Sequence, residues 1–131
     1  MKKEKKENLI FKKNFYERVL KKRKNYYEVL LILSVIYSEL GQYEKAMEVD
    51  KKIIEISPYD PVAYYNLACD YSILGDVEKS AKWLKYAINL GYKNFKYMEK
   101  DPDLKNVRKT SLYREILKKA GRALEWKKFF I

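Results

Sequence analysis

The chain has 131 residues, of which 29 are lysine or arginine and 18 are aspartate or glutamate, with no histidine and one cysteine. This length suits one domain with its own hydrophobic core, and the small number of turn formers, 4 glycines and 3 prolines, favours long helices. Without histidine or a second cysteine, the sequence excludes imidazole-based catalysis, zinc sites of the Cys/His type and internal disulfide bonds.

The location expected from the sequence is the cytoplasm. A lone cysteine fits a reducing compartment. The longest apolar run, residues 29–37, is shorter than the roughly 18 residues of a membrane span. No cleavable apolar segment follows the basic start of the chain, which argues against a signal peptide. We therefore expect no membrane partner.

The net charge of +11 is concentrated at the two ends of the chain. Residues 1–24 carry 11 basic and 3 acidic side chains, residues 25–104 carry 9 and 13, and residues 105–131 carry 9 and 2. Basic ends attract polyanions such as nucleic acid, although solvated faces of terminal helices are the simpler interpretation. The residues that would contact a polyanion are Lys12, Lys13, Lys21, Lys22, Arg23, Lys118, Lys119 and Arg122.

The first elements expected along the chain are a basic tail over residues 1–7 and a helix over residues 8–24. Beyond them, the same residue types return in register when residues 33–54 are aligned with residues 67–88, which indicates an internal repeat. The matching pairs are Leu33/Leu67, Tyr37/Tyr71, Ser38/Ser72, Leu40/Leu74, Gly41/Gly75, Glu44/Glu78, Lys45/Lys79, Lys51/Lys85 and Ile54/Ile88.

Each repeat unit is expected to form two helices separated by a glycine. Apolar residues recur at three- and four-residue steps on both sides of Gly41 and Gly75. A glycine readily adopts the left-handed backbone that ends a helix. Pro58 ends the first unit, and Asp60 and Pro61 are a typical N-cap and first residue of the helix that follows.

These units resemble the tetratricopeptide repeat (TPR), a 34-residue helix–turn–helix with recurring small and large apolar positions. Residues 27–60 supply Leu30, Leu33, Ser34, Tyr37, Gly41, Tyr43, Ala46 and Pro58 at the family's positions. Residues 61–94 supply Tyr64, Leu67, Ala68, Tyr71, Gly75, Leu84 and Ala87. The departures are Asp50 at an aromatic position, Ser80 at an alanine position and Tyr92 at a proline position.

The resemblance implies an all-α fold, a right-handed solenoid of antiparallel helix pairs with N- and C-terminal capping helices. Residues 8–24 resemble the second helix of a preceding half-repeat and would be the N-terminal cap. After the second unit, Asp101 stands at a core leucine position and Pro102 follows it. We therefore expect a degenerate closing turn over residues 95–109.

A C-terminal capping helix is expected over residues 110–131. Its last residues, Trp126–Ile131, are mostly apolar. A large apolar patch rarely stays exposed, so this segment is expected to pack on its own chain or on a second copy in a homo-oligomer.

The resemblance also implies a concave groove, lined by the first helix of each unit, that holds a peptide or a partner's helix. Tyr65 is the expected aromatic anchor. The residues predicted to line the groove are Glu28, Leu31, Val35, Ser38, Val62, Tyr65, Asn66, Cys69 and Ser72.

Some TPR proteins bind the acidic C-termini of heat-shock chaperones through a carboxylate clamp of lysines, asparagines and an arginine. The corresponding positions of this chain hold Leu31, Val35, Asn66, Asp103 and Val107. Only Asn66 matches the clamp, so this class of ligand is disfavoured.

The function expected from the sequence is a non-catalytic protein-binding scaffold without a metal or a cofactor. No glycine-rich phosphate loop or metal-ligand cluster stands out. Asp101 and Asp103 are explained by a turn and an N-cap, and Cys69 by packing. The alternatives are an adaptor that binds RNA or another polyanion through the basic ends, and a self-associating homo-oligomer.

Overall fold

The computed structural model describes the backbone of residues 1–128 and the side chains of residues 1–121. Within these residues the chain is all-helical and has no strand. The helices are α1 (Lys3–Lys22), α2 (Tyr27–Glu39), α3 (Tyr43–Ile56), α4 (Pro61–Ile73), α5 (Val77–Asn89), α6 (Phe95–Met98), α7 (Lys105–Arg108) and α8 (Ser111–Lys128), with a 3-10 turn (Pro102–Leu104) between α6 and α7.

None of the described helices has both the length and the apolar composition that crossing a membrane requires.

The starts of the helices repeat at a constant interval, which equals the length of the sequence repeat. Helices α2, α4 and α6 begin at residues 27, 61 and 95, and helices α3, α5 and α8 begin at residues 43, 77 and 111. The spacing found in the middle of the sequence therefore continues to α8. After residue 94 the chain forms no long helix until α8 and instead contains α6, the 3-10 turn and α7.

Glycines and caps end and begin the helices where the sequence predicts them. Gly41 and Gly75 have φ angles of 74° and 88°, in the left-handed region that favours glycine. The backbone N–H of Gln42 donates to the carbonyl of Tyr37 at 2.8 Å, which closes the end of α2. Asp60 accepts a hydrogen bond from the N–H of Val62 at 2.9 Å and so caps α4.

The helices pack in the order of the chain. α1 packs on α2, α2 on α3, α3 on α4 and α4 on α5, while α8 packs on α5. One apolar cluster joins α1, α2 and α3, and a second joins α4, α5, α8 and the segment between α5 and α8. Ile54 of α3 contacts both clusters, so the core continues from one to the other.

Helix α1 begins at Lys3 rather than at residue 8, which corrects the expected tail over residues 1–7. The first turns contain mostly lysine and glutamate, which are good helix formers. Near its other end, α1 accepts a hydrogen bond at Glu17 from the hydroxyl of Tyr37, with an O–O distance of 2.6 Å. Burial and this glutamate raise the pKa of the Tyr37 phenol, so the hydroxyl stays protonated and ties α1 to α2.

A buried pair of carboxyl groups joins α3 and α4. Asp50 and Asp70 lie next to each other in the core, and Ser34 of α2 donates a hydrogen bond to Asp50 at 2.6 Å. Burial raises the pKa of both aspartates, and the mutual hydrogen bond and charge raise that of Asp70 further. Asp70 Oδ2 is buried and accepts no hydrogen bond from a donor among the described residues. A proton on Asp70, donated to Asp50, accounts for this arrangement.

We expect this pair to make the folded state less stable as pH rises. The folded chain keeps a proton that the unfolded chain releases near the ordinary aspartate pKa of about 3.9, so the contribution is complete below about pH 4 and decreases toward the raised pKa of Asp70. Asp70→Asn keeps a donor for Asp50 and removes this titration. Its free energy of unfolding should exceed that of the wild type by about 1–2 kcal/mol at about pH 8.

Urea unfolding followed by circular dichroism at about pH 5 and about pH 8 measures this difference. The matched control is Glu55→Gln, which neutralises an exposed carboxylate of α3. If the free energy of unfolding changes with pH by the same amount in the wild type and in Asp70→Asn, the shared proton is contradicted.

Candidate binding groove

Helix α2 and the first turns of α4 expose a group of aliphatic side chains. Leu31, Val35 and Val62 are 39%, 57% and 51% exposed, and Ile32 is also exposed. On α2 these residues recur at steps of three and four, so they share one helix face. Asn66 of α4 is also exposed and adds an amide. The exposed face of α2 can hold an apolar side chain of a ligand.

The structure divides the nine predicted groove residues into two sets. Five are exposed and one is half-buried; these are Glu28, Leu31, Val35, Val62, Asn66 and Ser38. Three are buried, namely Tyr65, Cys69 and Ser72. The expectation that these three line an open groove, with Tyr65 as the anchor, is therefore corrected. The candidate binding groove comprises the six accessible residues and Ile32.

The three buried residues are covered by residues 95–109, which we call the closing segment. It contains α6, the 3-10 turn and α7, and it packs on α4 and α5. Its side chains Met98, Leu104 and Val107 have no exposed surface and belong to the same cluster as Tyr65 and Cys69. The closing segment thus lies where the C-terminal part of an open groove was expected.

Polar contacts fasten the closing segment to α4 and to itself. The hydroxyl of Ser72 accepts from the N–H of Val107 at 3.1 Å, and the carbonyl of Ser72 accepts from the side chain of Asn106 at 2.8 Å. The guanidinium of Arg108 donates to the carbonyls of Met98 and Asp101 at 2.8 and 2.7 Å. These bonds satisfy backbone groups that a broken helix leaves without partners.

Asp101 lies at the centre of these contacts and is only 2% exposed. One carboxylate oxygen accepts from the hydroxyl of Tyr65 at 2.5 Å, and the other accepts from the N–H of Asp103 at 2.9 Å. The Tyr65 ring stacks on Tyr92, with ring centres 4.2 Å apart and planes 5° from parallel. Burial and Asp101 raise the pKa of the Tyr65 phenol. The neutral phenol is therefore a donor to a buried carboxylate.

The same region brings together three groups that can in principle ligate a metal. One ligand atom each from Cys69, Asp101 and Asp103 lies within 4.8 Å of the others. Burial, followed by the charge of Asp101, raises the pKa of the Cys69 thiol, which opposes the thiolate that metals and electrophiles require. Both oxygens of Asp101 already accept hydrogen bonds. The capping role predicted for Asp101 accounts for its contact with Asp103, and the Cys69 thiol donates to its other oxygen at 3.9 Å.

The basic residues predicted to meet a polyanion lie on α1, at Arg23 directly after it, and on α8. Those of α1 are exposed except for Lys13, which is half-buried, and the guanidinium of Arg23 lies 4.2 Å from the centre of the Tyr26 ring. Lys118 and Lys119 are exposed on α8. Arg122 and the segment Trp126–Ile131 lie outside the side chains that the structure describes.

Sequence reasoning misses two features of this region. Ile32 falls outside the prediction because only the family's groove positions are transferred. The burial of Tyr65 is missed because Asp101 is interpreted locally, as a cap. A signal is present, since Asp101 and Asn106 lie one repeat length after Leu67 and Ser72. That spacing places both at positions that face α4.

The described residues form an all-helical structure in which consecutive helices pack on one another. The chain belongs to the family described as domain of unknown function DUF6340, whose profile matches residues 35–119. It is also 36% identical over 85 residues to a chloroplastic protein of Arabidopsis thaliana. The alignment covers 63% of this chain and 25% of that protein, so the chain spans about a quarter of the length of this relative.

We expect Tyr65→Phe to loosen the closing segment, because the buried carboxylate of Asp101 loses a donor while the aromatic stack remains. The free energy of unfolding should fall by about 1–3 kcal/mol. The Cys69 thiol should react faster with a disulfide reagent under native conditions, since the closing segment covers it. Chemical denaturation and thiol-labelling rates measure the two effects.

Tyr59→Phe is the matched control, because Tyr59 is 82% exposed and no hydrogen bond of its hydroxyl is found among the described residues. It should change neither quantity. Equal labelling rates for the two variants would show that the Tyr65–Asp101 bond does not hold the closing segment in place.

Proposed function

We propose that this protein is a non-catalytic protein–protein interaction module of the tetratricopeptide-repeat type. The spacing of the helix starts, at residues 27, 61 and 95, supports this, because it equals the period of that family. The packing of each long helix on the next is the arrangement expected for a solenoid of antiparallel helix pairs, and the proposal includes its right hand. Helices α1 and α8 would be its two caps.

The proposed ligand is a peptide or a partner helix that inserts an apolar side chain into the candidate binding groove. The observation that carries the proposal is the exposure of Leu31 and Val35, which lie one turn apart on α2. Val62 and Asn66 of α4 are also exposed, and the proposal assigns this aliphatic group and this amide to the same site. Contiguous exposed apolar side chains are typical of interaction sites.

The contacts of the buried polar residues support a non-catalytic role. Asp101 is held by Tyr65 and by its own turn, and Asp50 is held by Ser34 and Asp70. Burial raises the pKa of Cys69, which keeps the thiol protonated. Each of these groups already serves the packing of one helix on another. The proposal therefore includes no metal and no cofactor, and the cytoplasmic location remains a prediction.

The runner-up proposal is an adaptor for RNA or another polyanion. The observation that favours it is the row of exposed lysines and arginines on α1. The dependence of binding on salt concentration distinguishes the two proposals. Binding to a polyanion weakens steeply as ionic strength rises, whereas an apolar contact responds little. Self-association through the groove is the third possibility.

We expect Leu31→Ser/Val35→Ser to abolish the capture of a specific partner. The test is affinity capture from nuclease-treated lysate of the source organism, with quantitative mass spectrometry at about 0.15 M and about 0.5 M salt. A groove partner should be retained by the wild type at both salt concentrations. It should be lost from the groove variant, because two apolar contacts at the centre of the site are removed.

The matched control is Phe11→Ser/Phe15→Ser, which removes two exposed apolar side chains of α1. It should capture the same partner as the wild type. If the wild type and the groove variant capture identical sets, the groove proposal is overturned. Capture that disappears at high salt would favour the polyanion adaptor, and capture of the chain alone would favour the homo-oligomer.

A further inference from the structure

A cleft of about 990 Å³ lies between α5 and α8, away from the candidate binding groove. Its walls come from these two helices, and its end is formed by the residues that link α5 to α6. No residue of α2 or α4 lines it. The lining residues are Glu78, Ala81, Lys82, Lys85, Ile88, Asn89, Gly91, Tyr92, Lys93, Phe95, Leu112, Glu115, Ile116, Lys119 and Ala120.

The floor of the cleft is apolar and elongated. On α5 it runs from Ala81 to Ile88, about 10 Å along the helix, and on α8 from Leu112 to Ala120, about 12 Å. Tyr92 is half-buried at one end of the floor. A trough of this length matches two turns of a partner helix, whose apolar residues recur at steps of three and four.

The rim of the cleft carries an excess of positive charge. Four lysines line it, namely Lys82, Lys85, Lys93 and Lys119, against the two glutamates Glu78 and Glu115. All six of these side chains are exposed or half-buried at the surface. The ion pair found among the described side chains, between Lys79 and Asp76, involves none of them. Lys82 lies 5.0 Å from the centre of the Trp83 ring, and the ammonium groups of Lys85, Lys93 and Lys119 are available to carboxylates of a ligand.

The charges also decide between possible occupants. Helix α8 continues past the cleft to residue 128, so it forms a wall of the cleft rather than its content. A second copy of the chain carries a net charge of +11 and is repelled at long range by a basic rim. A partner whose polar face is acidic is attracted instead.

We propose that the cleft between α5 and α8 binds an acidic amphipathic helix of another protein. The apolar face of that helix lies on the floor near Ile88 and Ile116, and its carboxylates meet the lysines of the rim. This site does not depend on the candidate binding groove, because the two surfaces share no residue.

The test uses the full chain and a fluorescent synthetic peptide of about five helical turns. The peptide has leucine at every third or fourth position and glutamate on its other face, and a second peptide has lysine in place of glutamate. Fluorescence anisotropy measures the dissociation constant of each. The glutamate peptide should bind at least about tenfold more tightly than the lysine peptide.

Charge reversal tests the rim. Lys85→Glu/Lys119→Glu changes one lysine on each wall and should weaken binding of the glutamate peptide at least about tenfold. Lys5→Glu/Lys6→Glu makes the same change in net charge on exposed residues of α1 and should change binding less than about twofold. Equal weakening by both variants would mean non-specific attraction and would overturn the proposal.

A substitution on the floor tests the apolar contact. Leu112→Ser should weaken binding of the glutamate peptide, whereas Leu74→Ser should not, because Leu74 is similarly exposed and does not line the cleft. Circular dichroism checks that both variants fold.

Binding of laurate in place of the peptide would assign the cleft to a small amphiphile. A dimer of the free chain that Lys85→Glu/Lys119→Glu dissociates would assign it to self-association. Either result would overturn the proposal.

Discussion

The burial of the closing segment on α4 is the contact on which the C-terminal half of the fold depends. Helix α4 presents apolar or hydroxyl groups to three neighbours, and without the closing segment Tyr65, Cys69 and Ser72 would face water. Asp101 makes this packing specific, because one of its carboxylate oxygens accepts from Tyr65 and Cys69 of α4 only when the segment is packed there. Completing the core and shortening the groove are therefore two results of one contact.

Local sequence signals predict the boundaries of the helices well. They do not predict the accessibility of side chains, which depends on contacts between residues distant in the sequence. Gly41 and Asp60 act within a few residues of their own position. The sequence pattern is therefore sufficient to predict where α2 ends and where α4 begins. The accessibility of Tyr65 depends on a residue 36 positions away. Position within a repeat states which way a side chain points, but it does not state what lies in front of it.

The pairing of Asp50 with Asp70 in the core is also a contact that the sequence does not predict. Asp50 departs from the repeat pattern, and Asp70 stands one repeat length after Ile36, so neither position is polar in both units. Their pairing across α3 and α4 is visible only in three dimensions. A buried polar pair of this kind tolerates few alternative alignments of the two helices. It favours one register between the first and second helix pairs.

Tyr92 lies where two surfaces of the molecule meet. One face of its ring stacks on Tyr65 beneath the closing segment, and the residue also lines the cleft between α5 and α8. Any ligand in the cleft that prefers one orientation of this ring must change the free energy with which the closing segment packs. Thermodynamic linkage makes the effect mutual, so a change in the closing segment alters affinity in the cleft by the same factor. The Tyr92 ring is therefore shared between the wall of the cleft and the packing beneath the closing segment.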